Sequence, residues 1–158
     1  MKLYFLRHGE AVDHAATDHE RQLTARGSQR IATAAQVLKS LGIQPQHIYS
    51  SPRVRAQQTA EIVGAVLGLP VEIHEAVNYS FSVQAVEDLI RGLDKTTEVL
   101  FVGHEPSMSG VVGELCGGDV VMKKGGFARV DIYAPVAPLR GQLVWLIAPK
   151  VFDELGAL

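Results

Sequence analysis

Two histidines stand directly after short apolar runs, where a side chain could take part in chemistry. The run Leu3–Leu6 leads into Arg7-His8, and the run Val99–Val102 leads into Gly103-His104. Runs of this length and composition predict buried strands, so both histidines are expected where a strand ends. Taken singly, each has a plain structural explanation, because a histidine that caps a buried strand is commonly structural. The two histidines therefore indicate a functional site only if other reactive or charged residues lie beside them.

A third strand end supplies arginines. Ser50-Ser51-Pro52 leads into Arg53 and Arg55 at the start of a predicted helix. Cations at a helix N-terminus oppose the helix dipole, so these two require a nearby anion or carboxylate. Guanidinium forks and helix N-terminal N–H groups both suit phosphate oxygens, and a neutral imidazole can attack phosphorus as a nucleophile. If the three strand ends meet, the sequence predicts a phosphoryl-transfer site.

Short apolar strands alternate with helical periodicities along the chain. Strands are predicted at residues 3–6, 48–49, 71–74, 98–103, 128–133 and 142–147, with helices after Thr24 up to Gly42, around 56–67, at 83–93 and at 107–116. This alternation predicts an α/β fold, a three-layer α/β/α sandwich whose central sheet is mostly parallel with an antiparallel C-terminal part. Ligands bind such sheets at the carboxyl ends of strands.

Composition narrows the function classes. The 158 residues carry a formal net charge of -2, which gives no basic surface for nucleic acid. A chain of this length without a linker is expected to form a single domain, residues 1–158. One cysteine, Cys116, fits a reducing compartment and buried packing, and no apolar stretch reaches membrane-spanning or signal-peptide form. A cytoplasmic location without membrane partners is therefore expected.

Taken in order, these motifs resemble those of the histidine phosphatase superfamily. The series is Leu6-Arg7-His8-Gly9-Glu10, then Ser50-Ser51-Pro52 with Arg55-Ala56 and Gln58-Thr59-Ala60, then Val102-Gly103-His104. Within that superfamily, the short chain and the segment Arg21-Gln22-Leu23-Thr24 followed by Gly27 are similar to the SixA-type phosphohistidine phosphatases. The resemblance covers nearly the whole chain, and only the part beyond Gly118 matches loosely. It implies a phosphoglycerate mutase-like fold.

The resemblance also implies roles for individual residues. His8 would take the phosphoryl group as a phosphohistidine intermediate, and water would then hydrolyse it without metal or other cofactor. Arg7 and Arg55 would hold the phosphate oxygens, with His104 as a further, cationic donor. Arg21 would reach in from the loop after the first strand. His8 must be neutral to attack, and the surrounding positive charge is expected to lower its pKa.

The leaving group decides which substrate suits such a site. An ester needs a general acid for its alkoxide, and Glu75 is the nearest candidate for one, although it could equally be a solvated loop charge. Glu105 is expected to cap the following helix instead. Imidazole leaves far more easily than an alkoxide, and the short stretch between Arg55 and His104 leaves no room for a large lid. Both observations favour phosphohistidine on a signalling or phosphotransfer protein.

Three alternatives stay open. The same chemistry could act on a small phosphorylated metabolite such as a sugar phosphate or nucleotide, or the arginine pocket could belong to a non-catalytic phosphoprotein-binding module. A metal site is the third, in the loop that carries His8, Glu10, Asp13, His14, Asp18 and His19. These residues lack zinc-helix spacing, and a solvated polar loop explains them better. A monomer or weak homo-oligomer is expected, and the parts played by Arg53 and Lys123-Lys124 stay open.

Overall fold

The computed structural model describes residues 1–133 and 136–158. In this part of the chain, six strands and five α-helices follow one another with a short 3-10 turn at Glu75–Val77. The strands are β1 (Lys2–Arg7), β2 (His47–Ser50), β3 (Val71–Ile73), β4 (Glu98–Gly103), β5 (Phe127–Ile132) and β6 (Gly141–Ile147). The helices are α1 (Ala25–Ser40), α2 (Val54–Leu67), α3 (Val83–Ile90), α4 (Ser107–Cys116) and α5 (Pro149–Gly156). No helix among the described residues is long and apolar enough to cross a membrane.

The six strands form one sheet in the order β3-β2-β4-β1-β5-β6. The strands β3, β2, β4 and β1 run parallel, whereas β5 is antiparallel to β1 and β6 is antiparallel to β5. The predicted fold class, with its parallel centre and antiparallel C-terminal part, is therefore confirmed. Because β1, β2 and β4 are parallel neighbours, their carboxyl ends lie at the same edge.

Helices cover both faces of the sheet. Along β1, Leu3 and Phe5 point into one apolar cluster while Tyr4 and Leu6 point into the other, as the two-residue period of a strand requires. The first cluster contains the buried residues of α3 and α4, and the second contains those of α1, α2 and α5. Strands buried on both faces carry continuous apolar sequence, which is the signal that predicted them.

Several details differ from the sequence-based expectations. Helix α5 was not predicted, because it is only eight residues long and has too few apolar positions to show a helical period. The apolar spacing of Ile31, Ala34, Leu38 and Leu41 predicts that all four lie on the inner face of α1. Leu41 instead follows the end of that helix and is 42% exposed. Cys116 is half-buried rather than buried. The apolar run 144–148 predicts a core strand, with an interface as the alternative. Strand β6 is an edge strand, so Val144 is exposed and Trp145 is only half-buried against the core.

The first turn of α1 holds the segment that follows His8. Thr24 caps this helix by accepting from Gly27 N, and Thr24 Oγ1 donates to Glu10 Oε1 over 2.9 Å. A Cβ at Gly27 would overlap the carbonyl oxygen of Glu10, so only glycine lets the helix approach this backbone so closely. Helix α1 is therefore joined directly to the loop that leaves β1.

We predict opposite effects for alanine at two helical glycines. Gly27→Ala places a methyl group against backbone that cannot yield freely, so it should lower the free energy of unfolding by about 1–3 kcal/mol. Gly110→Ala in α4 meets no atom within 4 Å and should raise it by about 0.5–1 kcal/mol, since alanine favours the helix. Urea unfolding of both variants and the parent measures the difference. Equal stability of Gly27→Ala and the parent would refute the close approach.

Candidate active site

Three strand ends bring the predicted catalytic side chains together. His8 follows β1, His104 follows β4, and Arg55 lies in the first turn of α2, just after β2. The ring centroids of His8 and His104 are 5.2 Å apart, and Arg55 Nε donates to His8 Nε2 over 3.3 Å. All three side chains are buried. The two histidines and this arginine thus lie together, as the sequence predicted.

The hydrogen bonds of His8 define its tautomer. His8 Nδ1 lies 2.7 Å from the carbonyl oxygen of Gly9, which can only accept, so Nδ1 carries the proton. His8 Nε2 accepts from Arg55 and therefore presents a lone pair. Burial, together with the positive charges of Arg55 and Arg7, lowers the pKa of His8 to about 4 against the opposing hydrogen bond to Gly9. The ring is thus neutral at neutral pH, as a nucleophile must be.

His104 is oriented by a serine at the end of the neighbouring strand. Ser51 Oγ accepts from Arg53 N over 3.3 Å and lies 2.7 Å from His104 Nε2. A hydroxyl can donate to Nε2 or accept from it, and when it donates the neutral ring carries its proton on Nδ1. Burial, followed by the charges of His8 and Arg55, lowers the pKa of His104 to about 3. The expected cationic donor is therefore neutral here, and only added negative charge such as a phosphoryl group would favour its protonation.

Two buried nitrogen atoms at the site have no hydrogen-bond partner. Among the side chains that the structure describes, the only buried nitrogen or oxygen atoms without one are Arg7 Nε and His104 Nδ1. Arg7 is fixed nearby, because its Nη1 donates to the carbonyl of Met122 over 3.0 Å. An unpaired buried donor costs about 1–3 kcal/mol, and groups that tolerate this cost concentrate where a ligand binds. These two donors can receive the oxygens of an anion.

A carboxylate from the loop after β1 lies beside Arg55. We name the Asp18 cluster for its members Asp18, Arg21, Arg53 and Tyr79. Asp18 Oδ2 accepts from Arg53 Nη1 and from the Tyr79 hydroxyl, both over 2.6 Å, and Asp18 Oδ1 accepts from Arg21 Nη1 over 3.0 Å. The hydrogen bond from Tyr79, with those from the arginines, holds the pKa of Asp18 well below its usual range despite some burial.

Sequence reasoning missed Asp18 and Tyr79 as members of the site. The sequence pattern predicts a solvated polar loop around Asp18 and indicates no role for Tyr79. One signal did exist, since Arg53 and Arg55 at a helix N-terminus required a carboxylate, and Asp18 supplies it. Arg53, whose part was open, contacts Asp18 and stacks over the Tyr79 ring at 4.1 Å. Arg21 lies beside Asp18 rather than against His8, and its Nε donates to the carbonyl of Val12 over 2.7 Å.

The glutamates occupy different positions. Glu105 caps α4, because its Oε1 accepts from Ser109 N over 2.8 Å, as the sequence predicted. Glu75 accepts from Asn78 Nδ2 over 2.8 Å, and Asn78 Oδ1 accepts from Arg53 Nε over 2.8 Å. Glu75 thus touches the site only through Asn78 and Arg53. Its assignment as general acid stays a prediction.

Two further expectations concern ions. Within residues 1–133 and 136–158, no group of three or more His, Cys, Asp or Glu side chains is arranged to hold a metal ion. The positive charge of Lys124 is one of the charges that lower the pKa of His8, which places this lysine within electrostatic reach of the site. The adjacent backbone is joined to the end of β1, since Gly125 N donates to the carbonyls of both Arg7 and His8.

Comparison with known proteins identifies the class to which this fold and site belong. A model of the histidine phosphatase superfamily (branch 1) matches residues 3–78. The chain is 32% identical to the phosphohistidine phosphatase SixA of Escherichia coli over 123 residues, covering 75% of this chain and 76% of that protein. The chain therefore belongs to the histidine phosphatase superfamily.

Within the superfamily, the chain is of the SixA type. It is 34% identical to the phosphohistidine phosphatase SixA homolog of Haemophilus influenzae over 128 residues, which cover 74% of this chain and 78% of that one. A structure of the protein histidine phosphatase SixA complexed with tungstate superposes with a TM-score of 0.85 at 28% identity, covering 96% of this chain and 99% of that one. The family expected from the sequence motifs is thereby confirmed.

We predict that the His8 ring stays neutral well into the acid range. An NMR titration of the ring, assigned with a His8→Gln variant, should show its midpoint near the pKa of about 4 that burial imposes. Since this folded-state pKa lies below the unfolded value of about 6.5, His8 disfavours folding progressively as the pH falls through that window, and not above it. A midpoint near about 6.5 would contradict the proposed environment of the ring.

Proposed function

We propose that this chain acts as a single-domain, metal-independent phosphatase that removes phosphoryl groups from phosphohistidine on a protein, through a phosphohistidine intermediate on His8. The observation that carries the proposal is the unprotonated Nε2 of a buried, neutral His8, held by Arg55 next to the unpaired donors Arg7 Nε and His104 Nδ1. This set combines a nucleophile with the groups that stabilise charge on a phosphoryl group in transfer.

In the first step, Arg55 Nε transfers its hydrogen bond from His8 Nε2 to a phosphoryl oxygen, which frees the lone pair of Nε2. His8 Nε2 then attacks phosphorus and the bond to the leaving group breaks. Arg7 Nε, Arg55 and His104 Nδ1 donate to the phosphoryl oxygens as negative charge builds on them. An entering phosphoryl group also raises the pKa of His104, since it places negative charge beside a ring that is neutral without it. The resemblance-based role of His104 as a cationic donor thus belongs to the substrate complex.

In the second step, water attacks the phosphoryl group on His8 and the imidazole returns to its starting state. The hydrogen bond from His8 Nδ1 to the Gly9 carbonyl supports both steps, because it favours positive charge on the ring when Nε2 becomes bonded to phosphorus. The same bond keeps the ring orientation fixed between the steps. Arg21 would contribute through Asp18, which it contacts, rather than by touching phosphate.

Two observations support a protein-borne phosphohistidine as the substrate. Two relatives, whose matches cover 75% and 74% of this chain, are phosphohistidine phosphatases by name. The outer part of the site is open, since Tyr79 is 45% exposed and the Asp18 side chain is 44% exposed, so a histidine displayed on a protein surface could enter. A cytoplasmic location, the absence of nucleic-acid and membrane partners, and a monomeric or weakly associated state stay predictions.

We predict that the parent protein in excess chelator releases phosphate from a phosphorylated histidine-phosphotransfer domain and acts only weakly on a sugar phosphate. His8→Ala should lose both activities by a factor of about 10⁴ or more, because it removes the nitrogen that attacks phosphorus. The matched control is His74→Ala, a half-buried histidine outside the site. A preference for the sugar phosphate would instead indicate a small-molecule phosphatase, and phosphate binding without turnover would indicate a binding module.

We propose Glu75 as the general acid for ester substrates, and predict that Glu75→Gln lowers kcat on an alkyl phosphate by about 10²-fold or more. An alkoxide needs the proton that a glutamine cannot supply. The measurement is steady-state turnover of glycerol phosphate, with Glu72→Gln, an exposed glutamate on β3, as the control. An unchanged kcat in Glu75→Gln would exclude the assignment.

A further inference from the structure

The carboxylate of Asp18 lies on the outer side of the same guanidinium that holds the nucleophile. Arg55 donates through Nε to His8 Nε2, and its Nη2 lies 3.4 Å from Asp18 Oδ2. The width of one guanidinium therefore separates the attacking nitrogen from the carboxylate. A phosphoryl group bound along Arg55 would have His8 on its buried side and its leaving group on the exposed side, near Asp18.

Asp18 is fixed in this position by its backbone. Its carbonyl accepts from Arg55 Nη1 over 2.9 Å, and the carbonyl of His19 accepts from Val54 N, an N–H at the start of α2, over 3.0 Å. These bonds anchor the loop on the helix that carries Arg55, so the carboxylate keeps its place when substrate enters. The side chain is 44% exposed, whereas that of Arg55 is 3% exposed. Asp18 is thus both held and reachable from solvent.

One oxygen of this carboxylate has capacity for another donor. Oδ2 already accepts from Arg53 and Tyr79, but in the part of the chain that the structure describes Oδ1 accepts only from Arg21. A carboxylate oxygen offers about two acceptor positions. An N–H of a substrate side chain could therefore donate to Oδ1 while the rest of the Asp18 cluster stays intact.

We propose that Asp18 selects phosphorylated imidazole by accepting a hydrogen bond from the second ring nitrogen of the substrate histidine. The inference rests on the proposed function and names the group that recognises its leaving group. An ionised carboxylate stabilises the protonated, cationic form of the substrate ring. It cannot give a proton to an ester oxygen, so it favours phosphohistidine over phosphate esters.

The chemistry of transfer explains why that proton matters. The bond from phosphorus to His8 Nε2 forms while the bond from phosphorus to the substrate nitrogen breaks, and the electron pair of the broken bond stays on the substrate ring. If the second nitrogen of that ring carries a proton, the ring departs as neutral imidazole. Without the proton it would depart as an anion, which is a far poorer leaving group. No acid, metal or other reactant is needed for this step.

The test compares Asp18→Asn with the parent on free phosphohistidine and on p-nitrophenyl phosphate. Free phosphohistidine removes any contribution of protein docking, and nitrophenolate leaves without help. We expect kcat/KM on phosphohistidine to fall at least about tenfold at about pH 8, as for loss of a hydrogen bond to a charged group, with a much smaller change on the ester. Asp13→Asn, which removes an exposed carboxylate from the same loop, is the matched control.

The pH dependence separates recognition from a structural role. The defect of Asp18→Asn on phosphohistidine should shrink as the pH falls toward about 6, because the substrate ring then becomes protonated in solution near the ordinary pKa of an imidazole. The ratio between parent and variant on the ester should not change with pH. Inhibition by inorganic phosphate should be equal or tighter in Asp18→Asn, since the variant has lost a negative charge beside the arginines.

The outcomes distinguish failure of the inference from failure of the proposed function. A parent protein that does not hydrolyse phosphohistidine would overturn the proposed function, and the role of Asp18 with it. A parent that does, with an Asp18→Asn variant impaired equally on both substrates or at all pH values, would overturn the inference alone. Weakened inhibition by phosphate in that variant would also overturn it, since Asp18 would then serve only to hold the arginines.

Discussion

The hydrogen bond from Arg55 Nε to His8 Nε2 is the contact on which the site depends. A buried guanidinium can donate to an imidazole nitrogen only if that nitrogen is unprotonated, so this bond and the neutral state of His8 require each other. The carbonyl of Gly9 completes the arrangement by holding the ring proton on Nδ1. Together they hold an unprotonated nitrogen at a fixed place, and covalent catalysis at phosphorus needs such a nitrogen.

The site achieves this at a cost in stability. Burial disfavours the charged state of both His8 and His104, and Arg7 Nε and His104 Nδ1 are buried without partners. The packing of the strands does not require such donors, since apolar side chains of β1 and its neighbours form the two clusters. Unpaired donors of this kind keep the interaction energy available for phosphoryl oxygens that become more negative during transfer.

The site has an inner and an outer part with different origins. The inner part comes from the ends of parallel strands and the start of α2, and it would suit any substrate with a phosphoryl group. The outer part comes from the loop that carries Asp18 and from the segment after β3 that carries Tyr79. Leaving groups meet the outer part, so loops decide the substrate while the sheet decides the chemistry.

The sequence by itself determined the fold class and the order of the predicted strands and helices, because buried parallel strands are continuous apolar runs. Since the carboxyl ends of these strands share an edge, it also predicted a site formed by His8, Arg7, Arg55 and His104. It did not reveal α5, whose eight residues form a helix that packs on α1. It did not reveal the tautomers of the histidines either. Only the tertiary structure decided that Asp18 meets Tyr79 and the arginines, because the loop residues between strands carry no periodicity. Their contacts depend on distances through space between segments that lie 61 residues apart.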